Sequence, residues 1–172
     1  GQTGDNIDDS FGYPYLFENR ENQELTIKLW EKLAKRYKDE PIVLAYELLN
    51  EPIAHYFDKG ALNTKLEPLY KEITAAIRKA DNNHIIILGG AQWNTNFDIF
   101  GKTFDPKLAY AWHKYGSPAK QEHFQKYKDF GNKFNVPVWL GETGENSYEW
   151  IRDNRILAEQ NGMGWCFWTY KR

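Results

Sequence analysis

Apolar residues recur along this chain with two alternating periods. Over 24–37, Leu25, Leu29, Trp30, Leu33, Ala34 and Tyr37 fall at helical spacing, which predicts a helix that Pro41 stops. The next run, Ile42-Val43-Leu44-Ala45-Tyr46 and on to Leu49, is short and unbroken. It predicts a strand buried on both faces, as in a parallel sheet. The alternation then repeats. Leu66, Leu69, Tyr70, Ile73, Ala76, Ile77 and Ala80 predict a second helix, and Ile85-Ile86-Ile87-Leu88 a strand ended by Gly89-Gly90. A polar and aromatic loop leads to a short strand around 108–112 and a helix over 121–134, with Phe124, Tyr127 and Phe134 near one face. A strand over 136–140, a helix over about 149–160 and a closing strand over 164–169 follow. Residues 1–22, rich in Gly, Asp, Asn and aromatics, hold no sustained period and read as a loop. Four helices alternating with five strands through short turns predict an α/β protein with a parallel sheet.

Composition narrows the function classes. The chain has 172 residues, 41% of them hydrophobic, which is one domain with a substantial core, and no linker or low-complexity tract divides 1–172. The net charge of −2 argues against a nucleic-acid surface. No apolar stretch approaches the roughly 18 residues of a membrane span, and no signal-peptide pattern is present. Cys166 is the single cysteine, so no internal disulfide is expected; within its apolar strand it reads as a small buried hydrophobe. His55, His84, His113 and His123 lack metal-ligand spacing, and the Gly141-Glu142-Thr143-Gly144 turn lacks a nucleophile-elbow serine. No Gly-rich phosphate loop occurs, so neither a metal nor a cofactor is expected.

In parallel α/β folds, functional side chains gather at the carboxyl ends of strands, where loops converge. Those ends carry Asn50-Glu51-Pro52, Gly90-Ala91-Gln92-Trp93, His113-Lys114-Tyr115, Gly141-Glu142 and Trp168-Thr169-Tyr170. Glu51 and Glu142 are the pair a retaining glycosidase needs: an acid that protonates the leaving oxygen and a carboxylate that attacks the anomeric carbon, roughly 5 Å apart. The two roles require environments that push the two pKa values apart. The 7 Trp, 11 Tyr and 10 Phe fit as well, because flat sugar faces stack on aromatic planes. Strand parity puts Ala111, His113 and Tyr115 on one face, Leu140 with Glu142, and Cys166 with Trp168. Glu47 shares parity with Glu51 one layer deeper and reads as a buried structural carboxylate, and Glu145 as a loop residue. Trp30, Trp112, Trp139 and Trp165 read as packing.

Taken in order, Asn50-Glu51-Pro52 after a buried strand, His113-Lys114-Tyr115, Glu142 in Trp139-Leu140-Gly141-Glu142, and Trp168 in the last strand resemble glycoside hydrolase family 5. These are cellulases and related β-glycanases folded as (β/α)8 barrels. The opening Gly1-Gln2-Thr3-Gly4-Asp5-Asn6 resembles the loop after that family's third strand. The resemblance implies Glu51 as acid/base, Glu142 as nucleophile and Asn50 on the sugar 2-hydroxyl. It further implies that Tyr115 donates to Glu142 and that His113 contacts substrate or tunes Glu51. Trp168 would floor the subsite on the non-reducing side of the cut, and Trp93 would line the leaving-group side. The family implies export, hence a secreted or periplasmic location, and a β-glucan as the partner.

An eight-stranded barrel takes about 250 residues. The five strands here match the family's fourth to eighth, so the fold expected is a partial (β/α)8 TIM barrel. Gly at position 1 and a lone methionine at Met163 fit a chain that begins past the third strand. An open sheet of five strands leaves two unpaired edges, which predicts self-association into a homo-oligomer. Two functions remain open at this point: a retaining β-glycoside hydrolase, foremost an endo-β-1,4-glucanase, or an inactive half-barrel that retains carbohydrate binding.

Overall fold

A computed structural model describes residues 14–57 and 59–169 of the chain. The motif at residues 1–6 and the end at 170–172 lie outside the described residues. The chain divides into two compact units, Gly1–Leu108 and Ala109–Arg172.

In the first unit, a 3-10 turn at Tyr15–Phe17 leads into α1 (Arg20–Tyr37). The predicted loop therefore ends earlier than its composition suggests. Asn19 starts the helix by accepting the Asn22 N–H on its side chain, satisfying an N–H that the first turn leaves open. The buried side of α1 differs from the predicted stripe. Leu25 and Leu29 are 59% and 55% exposed, whereas Ala34 is fully buried. Trp30 decides the face: its indole N–H donates to the Leu48 carbonyl at 3.2 Å and its ring packs 6.1 Å from Tyr46. β1 (Ala45–Glu47) is much shorter than the expected 42–49, and Ile42 and Leu44 are 87% and 75% exposed. The run is apolar enough for burial on both faces, but burial also needs a neighbour, and within this unit β1 pairs with β2 alone.

α2 (Lys59–Arg78) follows the prediction closely: Leu62, Leu66, Leu69, Tyr70, Ile73 and Ile77 form one buried stripe. β2 (Ile85–Gly89) runs parallel to β1, with Ala45 opposite Ile85 and Glu47 opposite Ile87. A single turn, α3 (Ala91–Asn94), comes next. Below β1 and β2 sits a polar cluster. Asp81, 1% exposed, accepts the Tyr46 hydroxyl at 2.7 Å, the backbone N–H groups of Asn83 and His84, and the His84 ring at 2.5 Å. Arg78 binds Asp105 through two nitrogens at 2.8 Å each and donates to the carbonyls of Asp81 and His84. This cluster ties the α2–β2 turn to β1 at the end of the strands opposite the Glu51 loop.

The second unit holds β3 (Leu108–Lys114) from its second residue on, then α4 (Gln121–Phe134), β4 (Val138–Gly144), α5 (Tyr148–Gln160) and β5 (Trp165–Trp168). β4 runs parallel to both β3 and β5. All seven β3 residues are buried. Trp112 explains much of this, stacked 4.0 Å from Tyr127 and edge-on at 5.1 Å to Phe124, both on α4. β5 is less covered than its composition predicts. Phe167 and Trp168 are 36% and 53% exposed and Cys166 is exposed, so the expectation of a buried cysteine is corrected. The cause is that of β1, an apolar strand paired on one side within its unit. Five strands alternating with helices, parallel wherever they pair within a unit, give the α/β class the sequence predicts.

Candidate active site

In the first unit, two loops at the carboxyl ends of the strands converge. After β1, Leu48 and Leu49 stay buried, Asn50 is exposed and Glu51 is half-buried. Glu51 and Ile53 both take left-handed backbone angles, φ 45° and 62°. Such angles cost a non-glycine residue about 1 kcal/mol or more and persist where surrounding structure dictates them, often at functional sites. Here the fully buried Ile53 and Ala54 pin the turn from beneath.

After β2 the backbone is left-handed for three residues in succession: Gln92 (φ 49°), Trp93 (φ 58°) and Asn94 (φ 59°). Amide hydrogen bonds hold that turn. Gln92 donates to the Asn63 side chain at 2.8 Å and accepts from Asn63 and Asn96 at 3.2 and 2.9 Å. Thr95 Oγ1 donates to the Gln92 carbonyl at 2.6 Å. The turn presents Trp93, half-buried, edge-on to His55 with centroids 4.5 Å apart, and 6.1 Å from Tyr56. Burial, with Lys59 adding repulsion, lowers the His55 pKa. The sequence pattern assigns a role to Trp93 and none to Gln92, Asn63, His55 or Tyr56. The recurrence of amides at 92, 94 and 96 was the signal available for the turn.

In the second unit, β3 and β4 align Trp112 with Leu140 and then His113 with Glu142, skipping Gly141. The same irregularity appears against β5, between Leu140 and Thr143. This bulge at 141–142 overturns the parity argument for Leu140: in register, Leu140 goes with Trp112, on the α4 side, and Glu142 goes with His113 on the other. A bulge re-aims a side chain by such a half-step. Gly141 permits it, because a Cβ there would lie 3.2 Å from Ala111 Cβ and 3.5 Å from His113 Nε2.

Glu142 is thereby set between two partners of the predicted set. Tyr115 donates its hydroxyl to Glu142 Oε2 at 2.9 Å. His113, 3% exposed, holds Nδ1 3.5 Å from the same oxygen, beyond a good hydrogen bond but within electrostatic reach. Trp168 lies in register with Gly144, two residues past Glu142. Gly144 has φ 133°, and a Cβ there would stand 2.8 Å from the Trp168 carbonyl oxygen. Only a glycine lets β5 carry Trp168 this close. The Trp168–Thr169 peptide is cis. Glu47 is half-buried rather than buried, and its charge contributes to raising the Tyr70 pKa, after burial.

Within each unit, parallel strands carry acidic, aromatic and histidine side chains at their carboxyl ends, the ends that bear function in barrel folds. The profile of the Cellulase family, glycosyl hydrolase family 5, matches residues 11–172, and the chain belongs to that family. Among curated relatives it is 28% identical to a beta-xylosidase of Phanerodontia chrysosporium, over 91% of this chain and 39% of that protein. It is 27% identical to endoglucanase H of Acetivibrio thermocellus, over 74% of this chain and 16% of that protein. The chain therefore spans well under half the length of these relatives. The crystal structure of endoglucanase Cel5A from Thermotoga maritima superposes with a TM-score of 0.78 at 24% identity, covering 92% of this chain and 62% of that one. That superposition confirms the fold as part of a (β/α)8 barrel. No helix of the described residues is long and apolar enough to cross a membrane.

Proposed function

We propose that this chain carries the catalytic centre of a retaining β-glycoside hydrolase that cuts β-1,4-glucan internally. The observation that supports it most is the carboxylate of Glu142, aimed by a bulge beside His113 and accepting the Tyr115 hydroxyl at 2.9 Å. The Tyr115 hydroxyl fixes one carboxylate oxygen and so orients the group, as a nucleophile requires. In the first step Glu142 attacks the anomeric carbon while Glu51 gives its proton to the departing glycosidic oxygen, so the C–O bond breaks as the glycosyl–enzyme ester forms. In the second, Glu51 takes a proton from water, whose oxygen displaces Glu142 from the sugar. Both groups belong to the chain, so the cycle uses no cofactor.

Asn50 binds the sugar 2-hydroxyl in this reading. Trp168, half-exposed, offers its ring as a stacking floor, and Trp93 with His55 and Tyr56 walls the leaving-group side. Relatives named as endoglucanases support β-glucan as the substrate. The family resemblance supports an exported enzyme with one catalytic domain over 1–172. The exposed Ile42 and Leu44 beside β1 support self-association, which a monodisperse monomer in light scattering would remove.

Hydrolysis of soluble β-1,4-glucan tests the reading. The parent chain releases reducing ends, and Glu51→Gln and Glu142→Gln each lose at least about a thousandfold in kcat. Activity that survives either substitution refutes the assignment. A parent that binds cellooligosaccharides without cutting them favours the second reading, a carbohydrate-binding half-barrel, which the open apolar face of β5 also fits.

A further inference from the structure

Lys114 follows His113 in β3 and is 4% exposed, which is rare for a lysine. Its ammonium is well provided for. Nζ donates to the Ser117 carbonyl at 3.0 Å, to Ser117 Oγ at 2.6 Å and to the Pro118 carbonyl at 3.0 Å. It also lies 3.2 Å from His123 Nδ1 and 5.6 Å over the Trp150 ring. The carbonyl and hydroxyl partners all belong to the turn that follows β3. A lysine that merely filled space would be satisfied by scattered groups or would reach water. This one places three acceptors on two consecutive residues, Ser117 and Pro118.

The turn has a bond of its own, and its Ser117 carbonyl has a second donor. The Ser117 N–H donates to the Tyr115 carbonyl at 2.6 Å, and the Trp150 indole N–H donates to the Ser117 carbonyl at 2.8 Å. The Ser117 oxygen thus takes donors from β3 and from α5. Tyr115 stands between Lys114 and that closed turn, with its hydroxyl on Glu142. Burial, with Lys126 adding repulsion, lowers the Lys114 pKa to about 8, so the ammonium is held at some electrostatic expense where a neutral side chain would pack without it.

We infer that Lys114 is a positioning residue whose ammonium clamps the 115–118 turn and so sets the Tyr115 hydroxyl against Glu142. The inference rests on the proposed nucleophilic role of Glu142. It differs from that reading in assigning a residue that contacts neither sugar nor carboxylate.

Four proteins test it: the parent, Lys114→Met, Tyr115→Phe and the double variant, each assayed for kcat and KM on β-1,4-glucan. Lys114→Met lowers kcat about ten- to hundredfold, the range for one hydrogen bond to a charged group, with KM within about twofold. The double variant is no slower than Tyr115→Phe, because Lys114 acts through Tyr115. Losses that multiply in the double variant, or an unchanged kcat in Lys114→Met, overturn the inference. Hydrogen exchange by NMR is the second arm. The Ser117 amide and the Trp150 indole exchange faster in Lys114→Met while α4 and β4 amides do not; unchanged exchange at Ser117 overturns the clamp. This arm decides the inference even if the parent hydrolyses nothing, an outcome that sinks only the hydrolase reading. If Lys114→Met does not fold, Ser117→Ala, which removes one of the three turn acceptors, carries the same comparison with a smaller loss.

Discussion

Replacing Asp81 by Asn removes the charge at the centre of the cluster beneath β1 and β2. The Asp81 side chain is shut off from solvent, and burial alone would push its pKa up. Hydrogen bonds from Tyr46, from the Asn83 and His84 N–H groups and from the His84 ring outweigh burial and hold it at about 2. An unfolded Asp titrates near 3.9, so folding shifts it by roughly 2 units, or about 2.5 kcal/mol at 1.36 kcal/mol per unit. Because the folded carboxyl ionises at the lower pH, that stabilisation is complete above about pH 5 and fades as pH falls through 4 toward 2. Asp81→Asn should therefore lower unfolding free energy by about 2–3 kcal/mol at pH 7 and by much less at pH 2.5. Urea denaturation of both proteins at the two pH values, followed by tryptophan fluorescence, measures this, since Trp30 packs against Tyr46, the donor to Asp81. A difference of the same size at both pH values, or one below about 0.5 kcal/mol at pH 7, would refute the linkage.

Gly144→Ala forces a Cβ within 2.8 Å of the Trp168 carbonyl at φ 133°, and should cost about 1–3 kcal/mol while loosening β5 from β4. Denaturation together with exchange at the β5 amides checks both effects, and a neutral substitution would show that β5 does not need the close approach. Trp112→Ala empties the stack against Tyr127 and Phe124 and should cost about 3–5 kcal/mol in the same assay. A loss under about 1 kcal/mol would mean that α4 is held by something else.

Periodicity located the elements that bury a full stripe, such as α2 with Leu66, Tyr70, Ile73 and Ile77 and the helix at Gln121–Phe134. It failed where burial depends on a neighbour that the residues themselves do not encode. Ile42, Leu44 and Cys166 are as apolar as Ile86, yet they are exposed because β1 and β5 each pair on one side within their units. One contact was legible from motif order: Tyr115 donates to Glu142, as the resemblance implies. The bulge that turns Glu142 toward His113 was hidden, because a period of two cannot show a skipped residue. Lys114 and the Gln92–Asn63 amide pair were hidden for a different reason. Their partners are backbone carbonyls and side chains brought close by the turns, and composition carries no trace of either.

In the proposed mechanism Glu142 forms a covalent bond to the sugar. A cellobioside with fluorine at C2 and a good leaving group slows hydrolysis of the glycosyl–enzyme ester more than its formation, so the intermediate accumulates. Mass spectrometry of the intact chain should then show one added fluorocellobiosyl group, and proteolysis should place it on the peptide carrying Glu142. Glu142→Gln should remain unlabelled, and Tyr115→Phe should label more slowly. A label on another residue, or turnover of β-glucan by the parent with no label at all, would rule out Glu142 as the nucleophile.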